Sequence, residues 1–161
     1  MAKIRVLIAD DHEMVRKGIR KALEEQSDID VLDEAADGAE AVKKIMALCP
    51  DIAVIDIAMP RLSGLNAARV IKNTGSNTRI IILSIYKKDA YVYQAFVSGA
   101  LGYVLKPTLA QNIIDGIRTV YRGDYFLSPK IDSEFIHGFL KKMTHDKNFN
   151  EHFLDIDTTR Q

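Results

Sequence analysis

Several short apolar segments of the sequence end at a charged or hydroxyl side chain. These side chains belong to Asp10 and Asp11, Asp56, Ser84 and Lys106. Carboxylates that lie close together repel one another unless a cation is present, and clustered oxygen ligands suit a hard divalent ion, above all Mg²⁺. A lysine ammonium can contact a phosphoryl oxygen as a point charge, and a serine hydroxyl can bond a second one. Together these groups indicate phosphoryl transfer to an aspartate nucleophile.

Each of these residues also has an ordinary structural explanation. An aspartate at the end of a strand is often a helix cap or turn residue. A single lysine before proline is usually a surface charge, so the interpretation as a site depends on all the residues falling at successive strand ends. His12 is interpreted as a helix-start residue because no partner His or Cys accompanies it. Met46 and Cys49 lie on an apolar stripe and are predicted to pack in the core.

The segments that position these residues alternate between two patterns. Apolar runs rich in Ile and Val, typical of strands covered on both faces of a parallel sheet, occupy residues 4–9, 52–55, 80–83 and 103–105, with a weaker run at 29–32. Between them, apolar residues recur at helical spacing, for example at 14, 15, 18, 19, 22 and 23 and at 113, 114, 117, 120 and 121. The alternation predicts an α/β fold with a doubly wound, five-stranded parallel sheet, whose site lies at the carboxyl ends of the strands near the switch point in strand order.

Composition narrows the class of protein. Of 161 residues, 47% are hydrophobic, and Lys+Arg and Asp+Glu both number 22, so the charge offers no support for binding a nucleic-acid backbone. The sequence has no apolar run long enough to span a bilayer and no room for a signal peptide before the first apolar segment. Its single cysteine fits a reducing compartment. We therefore expect a cytoplasmic protein without a membrane partner.

The pattern changes beyond Gly123. Ser128 and Pro129 match a helix N-cap followed by proline at the first helical position, and apolar residues then keep a helical spacing up to Met143. From residue 144 onward the chain is polar and lacks a period. The predicted organisation is a first domain over 1–124, a C-terminal helical extension over 125–144 and a linker or tail over 145–161.

The order and spacing of the polar residues resemble those of the response-regulator receiver domains of two-component systems, over about residues 3–123. The resemblance implies the flavodoxin-like receiver fold with Asp56 as the phosphoacceptor. It also implies Mg²⁺ as the cofactor, with Asp11, Asp56 and the backbone carbonyl of Ala58 as direct ligands and Asp10 supporting the ion through water. Reasoning from the carboxylates alone does not decide how Asp10 and Asp11 share the binding.

The same resemblance assigns the remaining residues of the site. It implies that Lys106 and Ser84 contact the phosphoryl group, that the Lys106–Pro107 bond is cis, and that Tyr103 is an aromatic switch residue coupled to Ser84. The protein would be a phosphoacceptor switch, with at most self-phosphorylation and self-dephosphorylation as catalysis. Its partners would be a sensor histidine kinase and, once phosphorylated, a second copy of the chain.

Four segments resemble a narrower group, the transcription factors whose receiver precedes a LuxR-type helix-turn-helix output domain. These segments cover residues 8–12, 83–86, 99–103 and 126–129. Residues 157–161 are similar to the start of that output domain, although Asp157 stands where an apolar residue is expected. The output domain itself is missing from this sequence, which is either part of a longer protein or a short natural one. DNA would be bound only through that missing domain.

Three other functions agree less well with the sequence. An aspartyl-nucleophile phosphatase of the haloacid-dehalogenase type uses similar groups, but it needs an acidic residue two positions after its nucleophile, and position 58 is Ala. A nucleotide-binding domain is disfavoured because neither phosphate-binding glycine motif follows any strand. A pure interaction module with an inert site is disfavoured because no site residue is missing.

Overall fold

The computed structural model describes residues 2–108 and 110–144, and its centre is a single parallel sheet. The strands are β1 (Ile4–Ala9), β2 (Ile29–Ala35), β3 (Ile52–Asp56), β4 (Arg79–Ser84), β5 (Gly102–Leu105) and β6 (Phe126–Leu127). Their order across the sheet is β2-β1-β3-β4-β5-β6. The chain moves outward from β1 to β2 and then returns past β1 to β3, so the switch point lies between β1 and β3, as the predicted fold requires.

Helices alternate with the strands along the chain. They are α1 (Glu13–Glu24), α2 (Gly38–Leu48), α3 (Gly64–Asn73), α4 (Asp89–Val97) and α5 (Ala110–Tyr121). Ile19 and Leu23 of α1 join Ile113 and Ile117 of α5 in one buried cluster with strand side chains. Two helix starts are capped locally, because Asp37 accepts from the N–H of Glu40 at 2.8 Å and Ser63 accepts from that of Asn66 at 3.2 Å. The predicted doubly wound α/β fold is confirmed.

The strand count and the start of the last helix differ from prediction. A sixth strand pairs with β5, since Phe126 donates its N–H to the Leu101 carbonyl at 2.9 Å and Ser128 donates to that of Tyr103 at 2.9 Å. Ser128 therefore does not cap a helix, and residues 129–130 form a turn. Helical residues run over 134–144, where the Ser133 hydroxyl accepts from the N–H of Ile136 at 3.1 Å.

The chain divides into two compact units, Met1–Ile131 and Asp132–Gln161. The first unit continues past the predicted boundary at residue 124 because β6 belongs to its sheet. The proposed linker or tail over 145–161 lies outside the described residues. Within the described part of the chain, no helix has the length and apolarity that crossing a membrane requires.

Two residues predicted to pack in the core are instead on the surface, and so is one residue of the predicted apolar stripe in the first helix. Met14 is 89% exposed, because it lies about 140° around α1 from the buried Ile19. Met46 is 48% exposed, since it follows the inward-facing Ile45 by a single position. Cys49 is exposed and ends α2 with a φ of 49°, which turns its side chain away from the helix stripe.

A bulge in β2 changes which side chains face α1. Val6 pairs with Val31 but Leu7 pairs with Asp33, so Leu32 is an extra residue in β2. The shift places Glu34 opposite Ile8, a member of the cluster that packs against α1. A bulge re-aims side chains in this way, and here it directs a carboxylate to a buried position with only 7% exposure.

Cations from α1 surround the carboxylate of Glu34. Arg16 Nε and Arg20 Nη1 each donate to it at 2.7 Å, and Lys17 Nζ donates at 2.9 Å. Burial alone would raise the pKa of Glu34, but the hydrogen bonds from Arg20, Lys17 and Arg16 outweigh it and lower the pKa to about 2. The ion pairs therefore fasten α1 to the bulged end of β2.

Replacing Glu34 with Gln tests this network through its pH dependence. A carboxyl whose pKa falls from 4.5 to about 2 on folding contributes about 3 kcal/mol of stability above pH 4.5. We expect Glu34→Gln to destabilise the protein by roughly this amount at pH 7, and the difference from the unsubstituted chain to shrink by about 2 kcal/mol by pH 3. Urea unfolding across this pH range measures both.

The control is Glu24→Gln, which removes an exposed partner of Arg20 on the same helix. Exposed pairs contribute little, so its unfolding free energy should stay within about 1 kcal/mol at every pH. A stability difference for Glu34→Gln that does not vary with pH would contradict the assignment of the low pKa to Glu34.

Candidate functional site

Two carboxylates and an ammonium group meet at the carboxyl ends of three strands. Asp10 follows β1, Asp56 ends β3 and Lys106 follows β5. Lys106 Nζ lies 2.9 Å from Asp10 Oδ2 and 3.2 Å from Asp56 Oδ2, and all three side chains are largely buried. The sequence-predicted site residues are therefore brought together at the switch point, with the lysine bridging the two acids.

The two bridged acids differ in their proton affinity. Burial raises the pKa of Asp56, and the nearby charge of Asp10 raises it further, against the opposing effect of Lys106. Burial would also raise the pKa of Asp10, but hydrogen bonds from Lys106 and from the His12 N–H lower it below its usual value. Lys106, between the two acids, has a raised pKa because their attraction exceeds the effect of its own burial. The Asp10 carboxylate is thus held in its ionised form, and the Asp56 carboxylate is more basic than an ordinary aspartate.

The acidic cluster has the donor chemistry of a divalent-cation site. One possible ligand atom each from Asp10, Asp11, His12 and Asp56 lies within 4.8 Å of the others. Three of the four are carboxylate oxygens, which a hard ion such as Mg²⁺ prefers. Asp11 is the most exposed of the three carboxylates. His12 is the N-cap residue of α1, as interpreted, yet its Nδ1 also lies 3.2 Å from oxygens of both Asp10 and Asp11.

Ser84 and Tyr103 lie next to each other behind the site. Ser84 ends β4, is buried, and accepts a hydrogen bond from the N–H of Tyr86 at 2.9 Å. Tyr103 of β5 is 0% exposed, and its hydroxyl donates to the backbone carbonyl of Tyr86. Burial raises the pKa of Tyr103 to about 12, despite a hydrogen bond with Ser84. In this structure the tyrosine already lies inward.

The loop after Asp56 brings the start of α3 into close contact with the Asp56 backbone. The Ala58 N–H points back to Asp56 Oδ1 at 3.4 Å, and the Gly64 N–H donates to the Ile57 carbonyl at 2.9 Å. A Cβ at position 64 would lie 2.3 Å from the Asp56 carbonyl oxygen. Glycine at this position therefore lets the start of α3 approach the strand that carries Asp56.

Comparison with known proteins agrees with this geometry. The model of the response regulator receiver domain family matches residues 6–118, a span that contains Asp10, Asp56, Ser84 and Lys106. The chain belongs to this family.

Characterised relatives of this receiver domain are bacterial regulators. It is 38% identical over 146 residues to the oxygen regulatory protein NreC of Staphylococcus carnosus, an alignment covering 90% of this chain and 67% of that protein. It is 39% identical over 142 residues to the transcriptional regulatory protein LiaR of Bacillus subtilis, covering 88% and 65%. A two-component response regulator of the LuxR family from an Aurantimonas species superposes with a TM-score of 0.77 at 33% identity, covering 81% of this chain and 93% of that one. The chain thus spans about two thirds of the length of NreC and LiaR.

Several features of the site were accessible to sequence reasoning and others were not. The Lys106–Pro107 bond is cis, as the resemblance implied. The contact of Tyr103 with the Tyr86 carbonyl was missed because any residue could supply that oxygen. The contact of Arg16 Nη1 with the Asp10 carbonyl, at 2.7 Å, was also missed. Its only signal was a run of cations on α1 together with the acidic residues of β2.

Substituting Gly64 by Ala tests the close approach beneath Asp56. Because the new Cβ would meet backbone atoms, the loop must move, and we expect a loss of about 1–3 kcal/mol in the free energy of unfolding. Shifts in the amide NMR signals of Asp56 and Ile57 should accompany this loss of stability.

The matched control is Gly18→Ala in α1, where nothing lies within 4 Å of the new Cβ. This change should instead stabilise the helix by about 0.5–1 kcal/mol. A Gly64→Ala variant as stable as the unsubstituted chain would disprove the steric argument.

Proposed function

We propose that this receiver domain accepts a phosphoryl group on Asp56 from the phosphohistidine of a sensor histidine kinase. The observation that carries the proposal is the bridge of Lys106 between Asp10 and Asp56 at the switch point of the sheet. A buried carboxylate with a raised pKa is a more basic, and so a better, nucleophile, and an adjacent ammonium neutralises charge as it develops on the transferred group.

In the proposed step an oxygen of Asp56 attacks phosphorus while the phosphorus–nitrogen bond breaks. The electron pair of that bond passes to the imidazole of the kinase, which takes a proton from solvent. Lys106 and the Ser84 hydroxyl would each contact a phosphoryl oxygen. Asp10, Asp11, Asp56 and the Ala58 carbonyl would hold Mg²⁺, which supplies charge neutralisation to the phosphoryl oxygens when it is bound. Apart from self-phosphorylation and self-dephosphorylation, we infer no catalytic activity.

The proposed output is a conformational change centred on Ser84 and Tyr103. Support comes from the contacts of these two side chains with the segment that leads into α4. The Tyr86 ring stacks on that of Tyr91 at a centroid distance of 4.2 Å, and the Tyr86 carbonyl accepts from Tyr103. A shift of Ser84 toward the phosphoryl group would favour the inward Tyr103 and change the face formed by α4, β5 and α5. A few kcal/mol of bias is enough for such a switch.

We further propose a transcriptional role, by analogy with relatives such as LiaR. Phosphorylation would promote self-association through the altered face. DNA would be contacted through a LuxR-type output domain and not through the receiver domain, and the acting protein would be cytoplasmic.

Phosphorylation is tested by incubation with acetyl phosphate and Mg²⁺, followed by intact mass measurement. We expect one added phosphoryl group, which Asp56→Asn abolishes because the attacking oxygen is lost. Asp11→Ala should require more Mg²⁺ for the same labelling. Asp30→Asn, which removes an exposed carboxylate at the opposite end of the sheet, is the control and should label normally. Unchanged labelling of Asp56→Asn would refute the assignment of Asp56.

The switch is tested by NMR with a beryllofluoride mimic of the phosphoryl group. In the unsubstituted chain, amide shifts should change around Asp56 and also along the face from about Asp89 to Arg122. In Ser84→Ala the distant changes should be lost while those beside Asp56 remain. Ser98→Ala removes another buried hydroxyl, one that donates to the carbonyl of Gln94 in α4 at 2.7 Å, and should behave like the unsubstituted chain. Changes confined to the neighbours of Asp56 in the unsubstituted chain would rule out the switch.

A further inference from the structure

Arg16 connects the buried Glu34 cluster to the backbone of the acidic site. Its Nε donates to Glu34 Oε1 at 2.7 Å, and its Nη1 donates to the carbonyl oxygen of Asp10 at 2.7 Å. The side chain is only 13% exposed. A guanidinium is planar and rigid, so two such bonds to different groups fix its position and orientation.

The carbonyl that Arg16 contacts belongs to the peptide between Asp10 and Asp11. The pairing of β1 with both neighbouring strands ends at Ala9, one residue earlier. Beyond that point the Asp10 N–H still donates to the Ala35 carbonyl at 3.1 Å, and the Asp10 side chain accepts from the His12 N–H at 2.9 Å. Arg16 donates a hydrogen bond to the Asp10 carbonyl. This bond adds to the restraint on the peptide group that joins Asp10 to Asp11, the two residues that carry the carboxylates.

We propose that Arg16 is a positioning residue for the divalent-cation site. Held in place by Glu34, it fixes the Asp10–Asp11 peptide and thereby sets the affinity of the carboxylates for Mg²⁺. The inference rests on the proposed function, because it takes the acidic cluster to be the Mg²⁺ site. Removing a group that orients metal ligands typically lowers metal affinity by about 10–100-fold.

The sign of the effect separates positioning from simple electrostatics. A guanidinium 2.7 Å from the Asp10 carbonyl repels a cation that approaches the Asp10 and Asp11 side chains, so removing its charge alone would tighten Mg²⁺ binding. Loss of the restraint on the Asp10–Asp11 peptide would weaken it. Weaker binding after loss of a positive charge is therefore specific to the positioning role.

The experiment is a Mg²⁺ titration of the full chain in which binding is monitored by tyrosine fluorescence or by amide NMR. We expect Arg16→Gln to raise the dissociation constant about tenfold or more. Arg20→Gln is the matched control, since Arg20 also lies on α1 and donates to Glu34 at 2.7 Å, while its other bond goes to Glu24. Its dissociation constant should stay within about twofold of the unsubstituted value.

A second variant keeps the test decisive if Arg16→Gln folds poorly. Arg16→Lys retains the charge, but a single ammonium lacks the guanidinium fork that bonds both Glu34 and the Asp10 carbonyl, so Mg²⁺ binding should again weaken. At saturating Mg²⁺, labelling by acetyl phosphate should return toward the unsubstituted rate in both Arg16 variants, which general structural damage would not allow.

Two results would overturn this inference but not the proposed function. The first is Arg16 variants that bind Mg²⁺ as tightly as the unsubstituted chain or more tightly. The second is an Arg20→Gln variant whose Mg²⁺ affinity falls as much as that of the Arg16 variants. Absence of Mg²⁺ binding by the unsubstituted chain would overturn the proposed function and this inference with it.

Discussion

The ammonium of Lys106 lies between two buried carboxylates that would otherwise repel each other, and the arrangement of the site depends on this bridge. Burying an ion without a partner costs several kcal/mol, and the cation between Asp10 and Asp56 lets two ionised carboxylates share one edge of the sheet. The fold supplies that cation from a distant part of the chain, because β5 ends beside β4 and directs Lys106 back toward β1 and β3. Each charge is acceptable in its position because the other two are present.

A second group of charges contacts the backbone of Asp10 rather than its carboxylate. There the bulge in β2 directs Glu34 toward α1, and Arg16 spans the distance from Glu34 to the Asp10 carbonyl. The end of β1 is thus bonded to cationic side chains both from β5 and from α1. Helix α1 is joined to the sheet by apolar packing at Ile19 and Leu23 and by ion pairs at its more N-terminal turns.

The sequence was informative where several residues in a fixed order supported the same interpretation. Short runs rich in Ile and Val predicted the parallel strands because strands covered on both faces bury such runs, and the charged residues at the ends of successive runs located Asp10, Asp56 and Lys106. Prediction was wrong where signals were short or ambiguous. Phe126 and Leu127 are too few to show a period, and Ser128 with Pro129 imitates a helix start. The bulge at Leu32 and the carbonyl partners of Arg16 and Tyr103 had no recognisable pattern, since backbone atoms are the same in every residue.

The bulge in β2 has a consequence for how the molecule behaves in a crowded solution. β2 and β6 form the two borders of the sheet, and a border strand offers unpaired backbone groups to any other chain that approaches it. An irregular strand with charged side chains such as Asp30 and Asp33 is a poor template for another strand, and a border of only two residues, as in β6, offers little to pair with. The irregularity that aims Glu34 at α1 therefore also disfavours aggregation through that border of the sheet.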